Sequence, residues 1–284
     1  DLTRDDVRVR AGYVADVTAG SSSDFFDASG ALPAPNPPFN TLKVRVERAA
    51  SGANPVGTLL SGLFETEPVD LGRAAYATLD NRVVGFRPTE RLSAPVVPLA
   101  IDLDAWRHGR EGDDNGNGIR EFQVRLESPD TGAKPGNAAL VAFEGFVSPG
   151  TIADQIIGGV TPEELPAPDF VLGPATPTEP LFVRGQASVS ATAAAALARR
   201  FERLAGSGDD ACRVFPVYSA HVPAGVRLVG LVAARVLAAG VEDDRLIVDV
   251  EPCFVIHSTA WTVPPGDPAE PRPNLYVHKL RITR

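Results

Sequence analysis

The sequence predicts an α+β protein: a short N-terminal α+β unit, then a larger α+β domain with a mainly antiparallel C-terminal sheet. Three observations carry this. Apolar and polar residues alternate along Val7–Val14 and Thr41–Arg48, the pattern of strands buried on one face. Val189, Ala193, Leu197, Phe201 and Leu204 recur at spacings of three and four, which places one apolar stripe on a helix over about Ser188–Ala205. From Arg213 onward, segments rich in Val, Ile, Leu and Tyr are separated by turn residues.

In chain order, the two opening strands are followed by a short helix at Pro55–Leu63, carrying Leu59, Leu60 and Leu63, and by a strand at Val69–Leu79. These make a first unit over residues 1–92. The main domain, 93–263, opens with the apolar strand Pro95–Ile101 and continues with the alternating strand Arg120–Leu126. Ser148-Pro149 is a helix start, because serine caps free amides and proline suits the first turn; Ile152, Ile156 and Ile157 face inward and Gly158-Gly159 ends it. Strands at Arg213–Ala220, Val226–Val236, Asp244–Ile256 and Leu275–Thr283 complete the reading. Proline clusters at Pro33–Pro38, Pro162–Pro180 and Pro264–Pro273 exclude helices and central strands there and mark loops or surface arms. Residues 264–284 read as a Pro-rich linker and a strand-like arm.

The chain has 284 residues and a formal net charge of −9, so it offers no electrostatic reason to bind nucleic acid. With 44% hydrophobic and 22% charged residues it is of globular composition. Its most apolar stretch, Leu228–Val241, is shorter than a membrane-spanning helix and carries Arg235. The absence of methionine implies a processed or truncated form.

The motifs of common enzymes are missing: no GxxxxGK[ST], GxGxxG after a strand, HExxH or GxSxG. His108, His221, His257 and His278 are scattered without metal-ligand spacing. Asp102 and Asp104 read as helix-capping residues ahead of Ala105-Trp106. An enzyme would need groups such as His257, Asp249 and Glu251 to converge, and nothing in the sequence brings them together. The expectation is a protein that is not an enzyme. Cys212 and Cys253 allow either a disulfide in a secreted protein or two buried thiols. The segment Glu111–Glu121 is distinctive. Asp113, Asn115 and Asn117 supply side-chain oxygens on alternate residues, Gly118 allows a sharp turn, and Glu121 falls at the ninth position of a calcium loop. Position twelve is Val124, where an EF-hand places a bidentate glutamate, so a calcium site here borrows ligands from elsewhere. The alternative is a Gly/Asn turn leading into a strand. Ca2+ is the one cofactor the sequence offers.

The order of segments resembles the extracytoplasmic region of the bacterial TadE/TadG-like, Flp (tight adherence) pilus-assembly family. The resemblance rests on Phe39–Leu79, on VVPLAIDLDAW (Val96–Trp106), on the Pro135-Gly136-Asn137 turn, on TIADQIIGGV (Thr151–Val160) and on the strands from Arg213 to about Cys253. It implies a structural or assembly subunit of a bacterial cell-surface or extracellular appendage. Such a subunit acts through contacts with itself and with other pilus or envelope proteins, and no catalytic residue carries over. It also implies an apolar N-terminal anchor helix, which is not in this sequence. The tail, with Leu275, Tyr276, Val277, Leu280 and Ile282, lies beyond the resemblance and is the expected self-assembly arm, since a terminal strand can add to a neighbour's sheet. The competing expectation is a calcium-dependent adhesin or glycan-binding module of the cell surface, resting on Asp113–Glu121.

Overall fold

The computed structural model describes residues 7–14, 25–27, 40–48, 71–109, 112–113, 115–127, 136–144, 149–167, 170–174, 180–222, 225–262 and 274–283. The helix expected at Pro55–Leu63 and the proline clusters at 33–38 and 264–273 lie outside these residues. The chain divides into two compact units, Asp1–Asp80 with Leu280–Arg284, and Asn81–Lys279.

The first unit holds β1 (Val7–Val14), β2 (Phe25–Asp27), β3 (Thr41–Arg48) and β4 (Leu71–Asp80). All pair antiparallel, in the order β4-β3-β1-β2. In β3, Leu42 and Arg45 are exposed on opposite faces while Thr41 is buried, its hydroxyl 3.0 Å from that of Thr78. At the end of β4, the buried Asp80 carboxylate accepts from Nε of Arg281 at 2.9 Å.

The second unit contains β5 (Val83–Phe86), β6 (Leu99–Asp102), α1 (Leu103–His108), β7 (Phe122–Leu126), β8 (Ala138–Ala142), α2 (Pro149–Gly158), β9 (Leu181–Gln186), α3 (Ala191–Ala205), β10 (Cys212–Val222), β11 (Gly225–Glu242), β12 (Arg245–Pro252), β13 (Val255–Ile256) and β14 (Ala260–Thr262). The strand β15 (Val277–Thr283) begins here, beside β13, and ends in the first unit, beside β4.

The α+β expectation is overturned. Strands take up 52% of the described residues against 20% in helices, with three α-helices, and five strands close into a barrel. The ring runs β10-β6-β8-β9-β11 and returns to β10. The eighteen-residue β11 makes this possible. It pairs with β10 along one side, and along the other first with β9 (Val226–Leu228) and then with β12 (Ala234–Glu242), which carries β7. Closure needs a glycine: a Cβ on Gly225 would strike the carbonyl oxygen of Val183 in β9.

Alternation along the ring strands sorts their side chains into two layers. Ala100, Ala139, Val141, Val183, Val214, Tyr218, Val226 and Leu228 come from all five strands and share one apolar cluster. The opposite face of β9 bears Phe182, which is 61% exposed, so the shared cluster is the filled lumen of the barrel. Leu99, Ile101, Leu140, Phe215, Val217 and Val232 point the other way and pack with Ile152 and Ile156 of α2 and with Leu197, Phe201 and Leu204 of α3. The Ser190 hydroxyl accepts from the Ala193 N–H at the start of α3, and Gly159 follows α2 at φ 75°, as expected, while Ser148, the expected cap of α2, lies outside the described residues. No helix among the described residues is long and apolar enough to cross a membrane.

Candidate functional site

Two places in the second unit hold the residues that matter. The first is the loop from Asp113 to Glu121. Asp113 accepts from the Asn117 N–H at 3.0 Å and the Gly118 N–H at 2.7 Å, one through each carboxylate oxygen. Asn115 Oδ1 also accepts from the Asn117 N–H, Asn117 Oδ1 accepts from the Ile119 N–H, and Glu121 Oε1 accepts from the Asn115 N–H. Gly116 and Gly118 sit at φ 71° and 85°, which the turn requires.

A fifth side chain joins Asp113, Asn115, Asn117 and Glu121, one that sequence spacing does not place there. Glu251 of β12 is 3% exposed, and its Oε2 accepts from Asn117 Nδ2 at 2.7 Å and Asn115 Nδ2 at 3.1 Å. It supplies the carboxylate that Val124 does not. The residue types fit an oxygen-liganded cation: Asp113, Glu121 and Glu251 bring carboxylates, and Asn115 and Asn117 bring amide oxygens. Two features work against one. Both asparagines turn their NH2 groups, not their oxygens, to Glu251, and the guanidinium of Arg235 lies 3.6 Å from Glu251 Oε1. Among the described residues no three His, Cys, Asp or Glu side chains form a group that could hold a metal.

The second place is a cavity of ≈360 Å3 beside β13. Val255, Ile256 and His257 form part of its wall, and Ser93, Gly158, Cys212 and Arg213 contribute to the rest. Cys212 and Cys253 are joined as a disulfide, with Cα atoms 6.4 Å apart, tying the start of β10 to the residues just before β13. The guanidinium of Arg213 donates to the carbonyls of Cys212 and Ile157 at 2.9 and 3.0 Å. Burial lowers the His257 pKa, and Nδ1 accepts from the Thr259 N–H, which puts the ring proton of the neutral form on Nε2. Phe254 and Ile256, flanking Val255, are 71% and 52% exposed, and Leu275 is 68% exposed.

The remaining candidates stand apart from each other. Asp102 caps α1, accepting from the Ala105 N–H at 2.8 Å. Burial, then the charges of Asp102 and Glu127, raise the pKa of Tyr218. Asp249 accepts from Gln123, Glu251 faces the Asn115–Asn117 loop and His257 bonds Thr259, so the three share no hydrogen-bond partner. His108 bonds the Asp104 carbonyl and the His278 ring lies 6.0 Å from that of Phe254, while the His221 side chain is outside the described set. In the expected assembly arm, Tyr276 packs edge-on to Trp106 at 5.9 Å and Val277 is fully buried. The strand β15, which includes Leu280 and Ile282, has a neighbour on each side in the strand order. On one side, β13 pairs with it at Val277 and His278. No family model, curated protein or solved structure matches the chain.

Proposed function

We propose that this protein is a non-enzymatic structural or assembly subunit of a bacterial cell-surface or extracellular appendage, TadE/TadG-like in character, acting through contacts with copies of itself and other envelope proteins. One observation carries the reading. Phe254 and Ile256, both large, apolar and exposed, flank the buried Val255 on β13, and Leu275, also exposed, lies two residues before Val277, the β15 residue that pairs with Val255. Apolar side chains gathered at the surface in this way mark a protein contact. A barrel lumen packed with side chains leaves no channel there for a ligand, and the disulfide gives modest support to an extracytoplasmic location. The test is light scattering of the native protein over a range of concentrations, followed by electron microscopy of the same sample. Ordered polymers support the reading; the mass of a single chain at every concentration contradicts it.

A second reading, a calcium-dependent adhesin or glycan-binding module, is favoured by the buried Glu251 facing Asn115 and Asn117. Thermal melting in calcium and in chelator decides it. A calcium-dependent rise in Tm that is lost in Asp113→Ala supports the site, and coincident curves remove it.

A further inference from the structure

We propose that Asn115 is a modification site: its side-chain amide is lost to water through a succinimide formed with Gly116, while the neighbouring Asn117 is spared. Neither functional reading above is needed for this reaction.

The sequence supplies the chemistry without choosing between the two residues. Asn115-Gly116 and Asn117-Gly118 are the asparagine–glycine pairs of the chain, and all four residues are exposed. In such a pair the glycine nitrogen can attack the asparagine Cγ, because no Cβ crowds its approach. The groups are already neighbours, so ring closure is intramolecular. The N–Cγ bond forms and the Cγ–Nδ2 bond breaks. The proton of the glycine N–H passes through solvent to Nδ2, which leaves as ammonia. Water then opens the ring at one of its two carbonyl carbons. Breaking the new N–Cγ bond leaves an aspartate. Breaking the original peptide bond instead leaves an isoaspartate, with the chain running through the side chain. No oxidant or reductant enters, and water is the co-reactant.

The structure separates the two residues at the attacking nitrogen. Their side chains are held alike. Asn115 Oδ1 accepts from the Asn117 N–H and Asn117 Oδ1 from the Ile119 N–H, at 3.0 and 2.8 Å. Each is an N–H aimed at the oxygen on which negative charge builds during ring closure. Both NH2 groups donate to Glu251 Oε2. The glycines differ. The Gly118 N–H donates to Asp113 Oδ2 at 2.7 Å, so taking its proton sets an anionic nitrogen against a carboxylate. The Gly116 N–H has no hydrogen-bond partner among the described residues and faces no such penalty. Asp113 therefore protects Asn117 and leaves Asn115 to react. The product matters to the fold. A carboxylate at position 115 cannot donate to Glu251, which is 3% exposed, and adds a like charge beside it. The loop then loses one of its two side-chain ties to Glu251 of β12.

Ageing the native protein at neutral pH in water enriched in oxygen-18, followed by peptide mapping, tests this. Mass spectrometry should find heavy oxygen at residue 115 and none at 117 over the same interval. In urea, where Asp113 no longer holds Gly118, both residues should react. Asp113→Ala should add reaction at 117 in the folded protein, with Asp113→Asn used in its place if the alanine variant does not melt cooperatively. The modified protein, separated by anion exchange through its added negative charge, should melt below the starting protein. Equal reaction at 115 and 117 in the native state overturns the proposal, as does a folded protein in which Asn115 stays intact while the unfolded chain reacts. An unchanged Tm after modification overturns the loosening of the loop from β12.

Discussion

The outer edges of β7 and β13 belong to the same unit and are treated in opposite ways. The edge of β7 is closed by a side chain that imitates a strand: Asn137 gives one acceptor and one donor at the spacing a neighbouring backbone would. The edge of β13 is held in place by a disulfide and, among the described residues, has no strand beyond it. An edge the fold can cover but does not is a better guide to a contact surface than exposure alone, because uncovered edges carry an aggregation risk.

The largest effect should come from releasing β13. The disulfide spans a sequence separation of 41, and Cys212→Ala/Cys253→Ala should lower stability by about 2–4 kcal/mol. Denaturant melts check this, and the native protein should titrate no free thiol. Next comes uncovering β7. Asn137→Ala leaves the Arg125 N–H and Gln123 C=O without their side-chain partners, at a cost of about 1–3 kcal/mol. If covering is what silences that edge, this variant should also gain disordered aggregates on light scattering.

A smaller effect is linked to pH at the residue following β13. Burial holds the His257 pKa below 6.5, so the unfolded chain binds this proton more readily than the folded one. Stability should therefore fall as pH drops through 6.5 toward the folded value, and be unaffected by this group at higher pH. His257→Asn, which keeps an acceptor for the Thr259 N–H, should flatten the Tm profile in that window. The smallest effect is a control remote from both edges. The turn between β11 and β12 holds Asp243 and Asp244 at φ 47° and 63°. Asp244→Gly should stabilise the protein by about 0.5–1 kcal/mol and leave assembly unchanged, as measured by melting and scattering.

Some of the architecture could be read from the sequence and some could not, for identifiable reasons. Strand β7 buries Phe122, Val124 and Leu126 on one face, so alternation reveals it, and α3 carries its expected stripe from Ala193 through Leu204. The barrel was not legible because the strands that close it carry no such signal. β8 reads Ala-Ala-Leu-Val-Ala and is buried on both faces along most of its length, and β9 starts directly after the Pro162–Pro180 stretch. The strand β11 was expected to end at Val236, yet it runs six residues further, and Ala238–Glu242 extend the pairing with β12 that begins at Ala234. At the loop, Asp113, Asn115, Asn117 and Glu121 announce themselves by spacing. Glu251 is 136 residues from Asn115 in sequence, and only the β7–β12–β11 pairing brings it there.

The claim that copies join along β13 is tested most directly by amide hydrogen exchange on assembled and dispersed protein. The amides of Val255 and His257 already donate to β15, so they should be protected in both states. The account predicts that the Ile256 amide exchanges fast when dispersed and becomes protected on assembly. An Ile256 amide that exchanges equally fast in both states would contradict it.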